Sequence, residues 1–66
     1  MKISVNGQSR DIADGSTVAS LLADLEAPGR GIAVARNDTV VRRAAFASER
    51  LDDGDRVEII KAVAGG

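Results

Sequence analysis

Apolar and polar residues alternate from the first positions of the chain. Ile3 and Val5 fall on one side of an extended segment and Lys2 and Ser4 on the other, until Asn6-Gly7 interrupts them. A period of two marks a strand with one buried face. Asn-Gly directly after such a strand marks a tight hairpin, because both central positions of a type I′ turn require positive φ. The pattern predicts strands over 1–5 and 8–12, with Asp14-Gly15 closing the second.

The period then changes. Val18, Leu21, Leu22 and Leu25 lie at i, i+3, i+4 and i+7, the stripe of a helix that buries one face. Ser16 or Thr17 can cap its first amides, and Pro28-Gly29 is expected to end it after two to three turns. So short a helix is marginal alone in water, so its leucines must pack on a sheet.

Two short strands follow, over 32–36 and 39–41, around the turn-forming Asn37-Asp38. The stretch RRAAFASERL holds no sustained period and is expected to be a connector with one helical turn, its Phe46 and Leu51 folded under the core. After the turn at Asp52-Asp53-Gly54-Asp55, a last strand runs over 56–62, with Val57 and Ile59 on one face and Glu58, Ile60 and Ala62 on the other. A hairpin, one helix and further strands predict an α+β domain with a single helix across one face of a sheet. The two end strands alternate most strongly, which places them centrally, and the crossover between them permits parallel pairing.

With 66 residues the chain is expected to be one domain spanning 1–66. Its formal charge of −1 supplies no net basic field, and its single aromatic, Phe46, offers no stacking platform, so nucleic acid is not an expected partner. Apolar runs are too short for a signal peptide or a membrane span, so the expected location is cytoplasmic, with no membrane partner. Without His, Cys or Tyr the usual nucleophiles and bases are missing, and no enzyme is expected. Asp52, Asp53 and Asp55 could hold a hard cation, but Asp and Gly build turns by bonding their own backbone, and no metal site is expected.

Three features remain as candidate binding elements. Ile60 points away from the face shared by Val57 and Ile59; with Ala62 and Val63 near it, it is either sheet filler or part of a partner-docking face. Arg42 and Arg43 are either a solvated strand edge or a grip on an acidic partner. The third is the run Val63-Ala64-Gly65-Gly66. A terminal glycine pair is either a frayed end or a segment shaped for close approach. Activating a carboxylate as an acyl-adenylate brings the terminal carbonyl to the α-phosphate of ATP in a narrow cleft, where a Cβ would clash. Four residues reach at most about 14 Å, enough to enter such a cleft while the domain stays outside.

The stretches KISVNGQ, DGSTVASLL, GIAVARNDTVVRR and LDDGDRVEIIKAVAGG together resemble the ThiS family, the bacterial sulfur carriers of thiamine biosynthesis. The resemblance covers nearly the whole chain. The glycine pair by itself is shared with ubiquitin and with the small subunit of molybdopterin synthase, whereas AVARN followed by VVRR, and VEIIKAVAGG, look specifically like the thiamine branch. The resemblance implies a ubiquitin-like β-grasp, one helix across a mixed five-stranded, or four-stranded, sheet, with 63–66 as a flexible tail. It implies that a partner adenylating enzyme uses ATP and Mg to activate the Gly66 carboxylate. A sulfur donor, ultimately cysteine desulfurase, then yields a thiocarboxylate that delivers sulfur to thiazole synthase. No cofactor would be bound by the carrier itself. Gly66 would bear the sulfur, Gly65 would give a slim approach, Val63 and Ala64 would continue the tail, and Ile60 and Ala62, with Arg42 and Arg43, would belong to the docking surface. A carrier for another pathway such as molybdopterin synthesis, a ubiquitin-like protein modifier, and a plain interaction module are the alternatives.

Overall fold

The structure, a computed structural model, describes residues 1–28 and 30–61. The elements follow the predicted order: β1 Lys2–Val5, β2 Gln8–Asp11, α1 Val18–Asp24, β3 Ile32–Arg36, β4 Thr39–Val41 and β5 Arg56–Lys61, with one 3-10 turn at Arg43–Ala45. The sheet has five strands in the order β2-β1-β5-β3-β4. β5 pairs parallel with β1 and antiparallel with β3, so the sheet is mixed and the two end strands are neighbours within it, as their alternation predicts.

Both hairpins close as their sequences require. Asn6 and Gly7 have φ of 50° and 83°, and Asn37 and Asp38 have 51° and 71°, the paired positive values of a type I′ turn. Thr17 is the helix N-cap: its hydroxyl accepts the Ser20 N–H at 3.1 Å while the Ser20 hydroxyl accepts the Thr17 N–H at 2.8 Å. This is a capping box in which serine takes the place usual for Glu or Gln. The helix covers 7 residues, about two turns and the low end of the expected length, and the chain has left it before Pro28. Glu26 adopts φ 54°; its N–H bonds Ala23 O at 3.1 Å, and the Ala27 N–H bonds Leu22 O at 3.0 Å. That pair of bonds is a Schellman motif, which satisfies the last carbonyls without help from the proline.

The helical stripe packs on the sheet as expected. Val18 and Leu21 are buried against Ile3, Val34 and Val57, with Leu51 beneath them and Phe46 half-buried at the margin. Strand directions define two ends. β1 and β5 finish at one end, where β3 begins and the helix terminates; this is the tail end, because residues 62–66 follow Lys61 there. β5 starts at the opposite, turn end, beside the Asp52–Asp55 turn and the first residues of the helix.

Candidate functional site

β5 is the central strand, and its last described residue, Lys61, is held on the β3 side by pairing with Ile32. On the β1 side pairing ends at Val57. There the side chain of Asn6 takes over: its Oδ1 accepts the Ile59 N–H at 2.8 Å and its Nδ2 donates to Ile59 O at 3.2 Å. A turn residue thus adds one more rung to the sheet. The root of the terminal segment is fixed from both sides, so whatever residues 62–66 do, they do it from a rigid base.

Strand parity sends Val57 and Ile59 to the helix and Ile60 outward, where it is 63% exposed. Ile60 stands opposite Ala33 on β3; in the next row Glu58 stands opposite Ala35, which in turn pairs with Val40, 72% exposed. The two small alanines leave the branched side chains of Ile60 and Val40 as the relief of one outward apolar patch. Continuing the β3–β4 register by one residue brings Arg42 beside Ala33. Arg43 opens the 3-10 turn, and both arginines are exposed.

On the helix side of the same end lies a groove of about 430 Å³, floored by Val5, Leu25 and Ile59 and rimmed by Arg10, Glu26 and Lys61. The early end of the helix opens it, leaving Leu25 half-buried rather than covered.

The turn end is built differently. The Arg36 guanidinium donates to Asp55 at 2.6 Å, Asp52 at 2.9 Å and Glu49 at 3.0 Å. The buried Asp55 carboxylate also accepts the Asp52 N–H at 2.7 Å and the Asn37 side-chain amide at 3.0 Å. Burial would push this carboxyl up, but the Asp52 amide, the Asn37 amide and Arg36 together hold it below the usual carboxylate range. Asp53 accepts the Lys2 N–H at 2.7 Å. The three aspartates of this turn therefore tie β5 to β1, β3 and the β3–β4 turn, and among the described residues no group of acidic side chains is arranged to hold a metal.

Residues 3–66 match the model of the ThiS family. The chain belongs to the ThiS family. It is 36% identical over its whole length to the sulfur carrier protein ThiS of Escherichia coli K12, all of which it covers. It is also 36% identical over 66 residues to a thiazole synthase of Paramagnetospirillum magneticum, of which it spans 20%. The crystal structure of ThiS from Geobacter metallireducens superposes with a TM-score of 0.87 at 33% identity, each chain fully covered. The fold is accordingly the ubiquitin-like β-grasp.

Within this ThiS-family fold, Ile60, Arg42 and Arg43, singled out from the sequence, all come to the tail end. Ala62, Val63, Ala64, Gly65 and Gly66 lie outside the described residues. Three elements of the site went unforeseen. Val40 faces out because adjacent valines on one strand cannot both face in. Asn6 carries a second role that no turn rule contains. The groove exists because the helix stops at Leu25.

Proposed function

We propose that the chain is a sulfur carrier of thiamine, specifically thiazole, biosynthesis that bears sulfur on Gly66. Family membership and the similarity to the E. coli carrier support this reading, as does the similarity to a thiazole synthase. The observation that carries it is the construction of the tail end. The central strand ends at Lys61 on a root held from both sides, and the exposed Ile60 stands directly beside that root with Val40 on the same sheet face.

A carboxylate is a poor electrophile, and the proposed cycle begins by changing that. In an adenylating enzyme, an oxygen of the Gly66 carboxylate attacks the α-phosphorus of MgATP; pyrophosphate leaves and an acyl-adenylate forms. A persulfide sulfur, supplied ultimately by a cysteine desulfurase, attacks the carbonyl carbon and expels AMP. Reduction of the resulting acyl disulfide by a thiol releases the thiocarboxylate, which thiazole synthase consumes. The carrier needs no acid, base or bound cofactor of its own for these steps. What it supplies is reach and docking. Five residues beyond Lys61 span at most about 17 Å. Ordering them costs roughly 1–2 kcal/mol each, which the docking patch must offset.

The test is the intact mass of the full chain after incubation with its adenylating enzyme, ATP, a sulfur donor and a thiol. The expected result is a gain equal to one oxygen exchanged for sulfur, absent in a chain lacking Gly66. No gain, with the enzyme active on another carrier, overturns the reading. Recovery of Gly66 in isopeptide linkage to lysines would replace the carrier by a protein modifier.

A further inference from the structure

The formal charge of −1 conceals a strong separation of charge. Arg10 and Lys61 rim the groove at the tail end. Arg42 and Arg43 follow β4 there, and Arg30 precedes β3 at the same end. Opposing these five cations are Asp24 and Glu26 at the end of the helix, and Glu58 stands on the outward face between the two ends, 3.7 Å from Arg56. The turn end has the reverse balance. Asp52, Asp53 and Asp55 precede β5, Asp11 ends β2 and Asp14 follows it, and Asp38 and Glu49 complete the set, against Lys2, Arg36, Arg50 and Arg56.

Pairing sharpens the contrast. Lys2, Arg36 and Arg56 each hold carboxylates, Arg50 does not, and among the described residues none of the five tail-end cations makes an ion pair. Exposed charges contribute little to the fold whether paired or not, and like charges gathered at one end add up in the field outside the molecule.

We infer that the tail end is an electrostatic docking face for an acidic protein surface, located on the adenylating enzyme around the opening that admits residues 62–66. This rests on the reading that such an enzyme takes the tail. Four of the five cations are arginines, whose planar guanidinium matches a carboxylate in two bonds. Arg42 lies on the outward side beside the row of the exposed Ile60, and Arg43 follows it, whereas Arg10 and Lys61 stand on the helix side, so the cations flank the end of β5 on both faces of the sheet. The aromatic Phe46 packs against the core, which leaves the face without a stacking side chain for nucleic-acid bases. The field also answers a difficulty of the chemistry. An acidic rim would repel the anionic end of the tail, and the cations at its root outweigh that single carboxylate.

The test is the association rate of the full chain with its adenylating enzyme, by stopped flow, at low and high salt, using Arg42→Glu and the turn-end control Arg50→Glu. Both change net charge equally. Arg42→Glu, and Arg30→Glu as a second tail-end variant, are expected to slow association about tenfold at low salt, with dissociation nearly unchanged and the difference fading at high salt. Arg50→Glu is expected to associate at the wild-type rate. Equal slowing by all three, or by none, overturns the proposal while the carrier reading stands, provided the wild-type chain supports ATP–pyrophosphate exchange. Failure of that exchange overturns both. Binding of the wild-type chain to anionic vesicles or duplex DNA, abolished by Arg42→Glu, would assign the face to a polyanion instead.

Discussion

The two ends of this sheet use the same residue types to opposite effect. At the turn end Arg36 meets three carboxylates, and Asp55 accepts bonds from three other groups. At the tail end arginines stand unpaired among the described residues, around side chains left exposed. The first arrangement uses its charged groups as mutual hydrogen-bond partners, and the benefit is the fixed start of β5. The second leaves its charge and its apolar surface available. A single strand, β5, joins the two, so an element anchored by polar bonds at its beginning presents a recognition surface at its end. The difference predicts a division of phenotypes. Substitutions at the turn end should change stability without changing recognition, and those at the tail end the reverse.

The largest effect is expected from removing Gly66. Loading with sulfur should be abolished, while the melting temperature stays at the wild-type value, since the core lies between Ile3 and Val57. Intact mass and circular dichroism on one sample measure both halves. A shortened chain that still loads would move the chemistry elsewhere; one that melts early would break the division between the ends.

Next in size is Asp55→Ala, which leaves Arg36 without its closest carboxylate and two donors without an acceptor. The expected cost is about 3 kcal/mol, a large part of the roughly 5 kcal/mol available to a small domain. Loading of the fraction that remains folded should be normal. The same group gives a pH dependence. Its carboxyl titrates lower in the folded chain than in the unfolded one, so its stabilisation is complete above the unfolded value, about 3.9, and is lost as pH falls through the lower folded value. Urea unfolding between pH 6 and about pH 2 should therefore show wild-type stability declining with acid. That decline should be shallower in Asp55→Asn. An equal slope in the two proteins would mean that other carboxylates govern acid unfolding.

A smaller effect is expected at the tail end from Ile60→Asp. The side chain is mostly exposed, so stability should shift by no more than about 0.5 kcal/mol. An apolar anchor becomes a charge, and the KM for adenylation should rise about tenfold, equivalent to about 1.4 kcal/mol. Val40→Asp should act in the same direction. An unchanged KM in both variants would reduce the patch to sheet surface without a partner.

These expectations differ in how far the sequence foretells them. The hairpins, the helical face, the central position of the end strands and the outward direction of Ile60 all follow from patterns of two to eight residues, because turn chemistry and side-chain parity are local. The Arg36 cluster is not local: its partners lie 13 to 19 residues away, and three carboxylates converge only after β3 and β5 pair in register. Asn6 reaches across 53 residues to Ile59. Charge separation is hidden for the same reason, since a sum over the chain discards position. The glycine pair was legible as a motif, and its use came from likeness to a family rather than from any property of the strand. The helix stops before the expected Pro28 because a Schellman motif closed by a glutamate leaves no conspicuous signal, whereas a proline does.

That glutamate carries the smallest prediction. Glu26 sits at φ 54°, in a region that costs a residue with a Cβ about 1–2 kcal/mol, although glycine is the usual occupant of this helix position. Glu26→Gly removes the strain but gives the unfolded chain more freedom, which returns part of the gain. The net expectation is a stabilisation of about 0.5 kcal/mol, read as a melting temperature a few degrees higher. Glu26 also lies on the groove rim with Arg10 and Lys61, so the same change makes the tail end more positive. If the field there guides association, the glycine variant should both melt later and associate faster at low salt. Later melting with slower association would instead give the Glu26 carboxylate a direct contact with the partner. Strain would then have been retained at the tail end for recognition, while the turn-end cluster around Arg36 holds the start of β5.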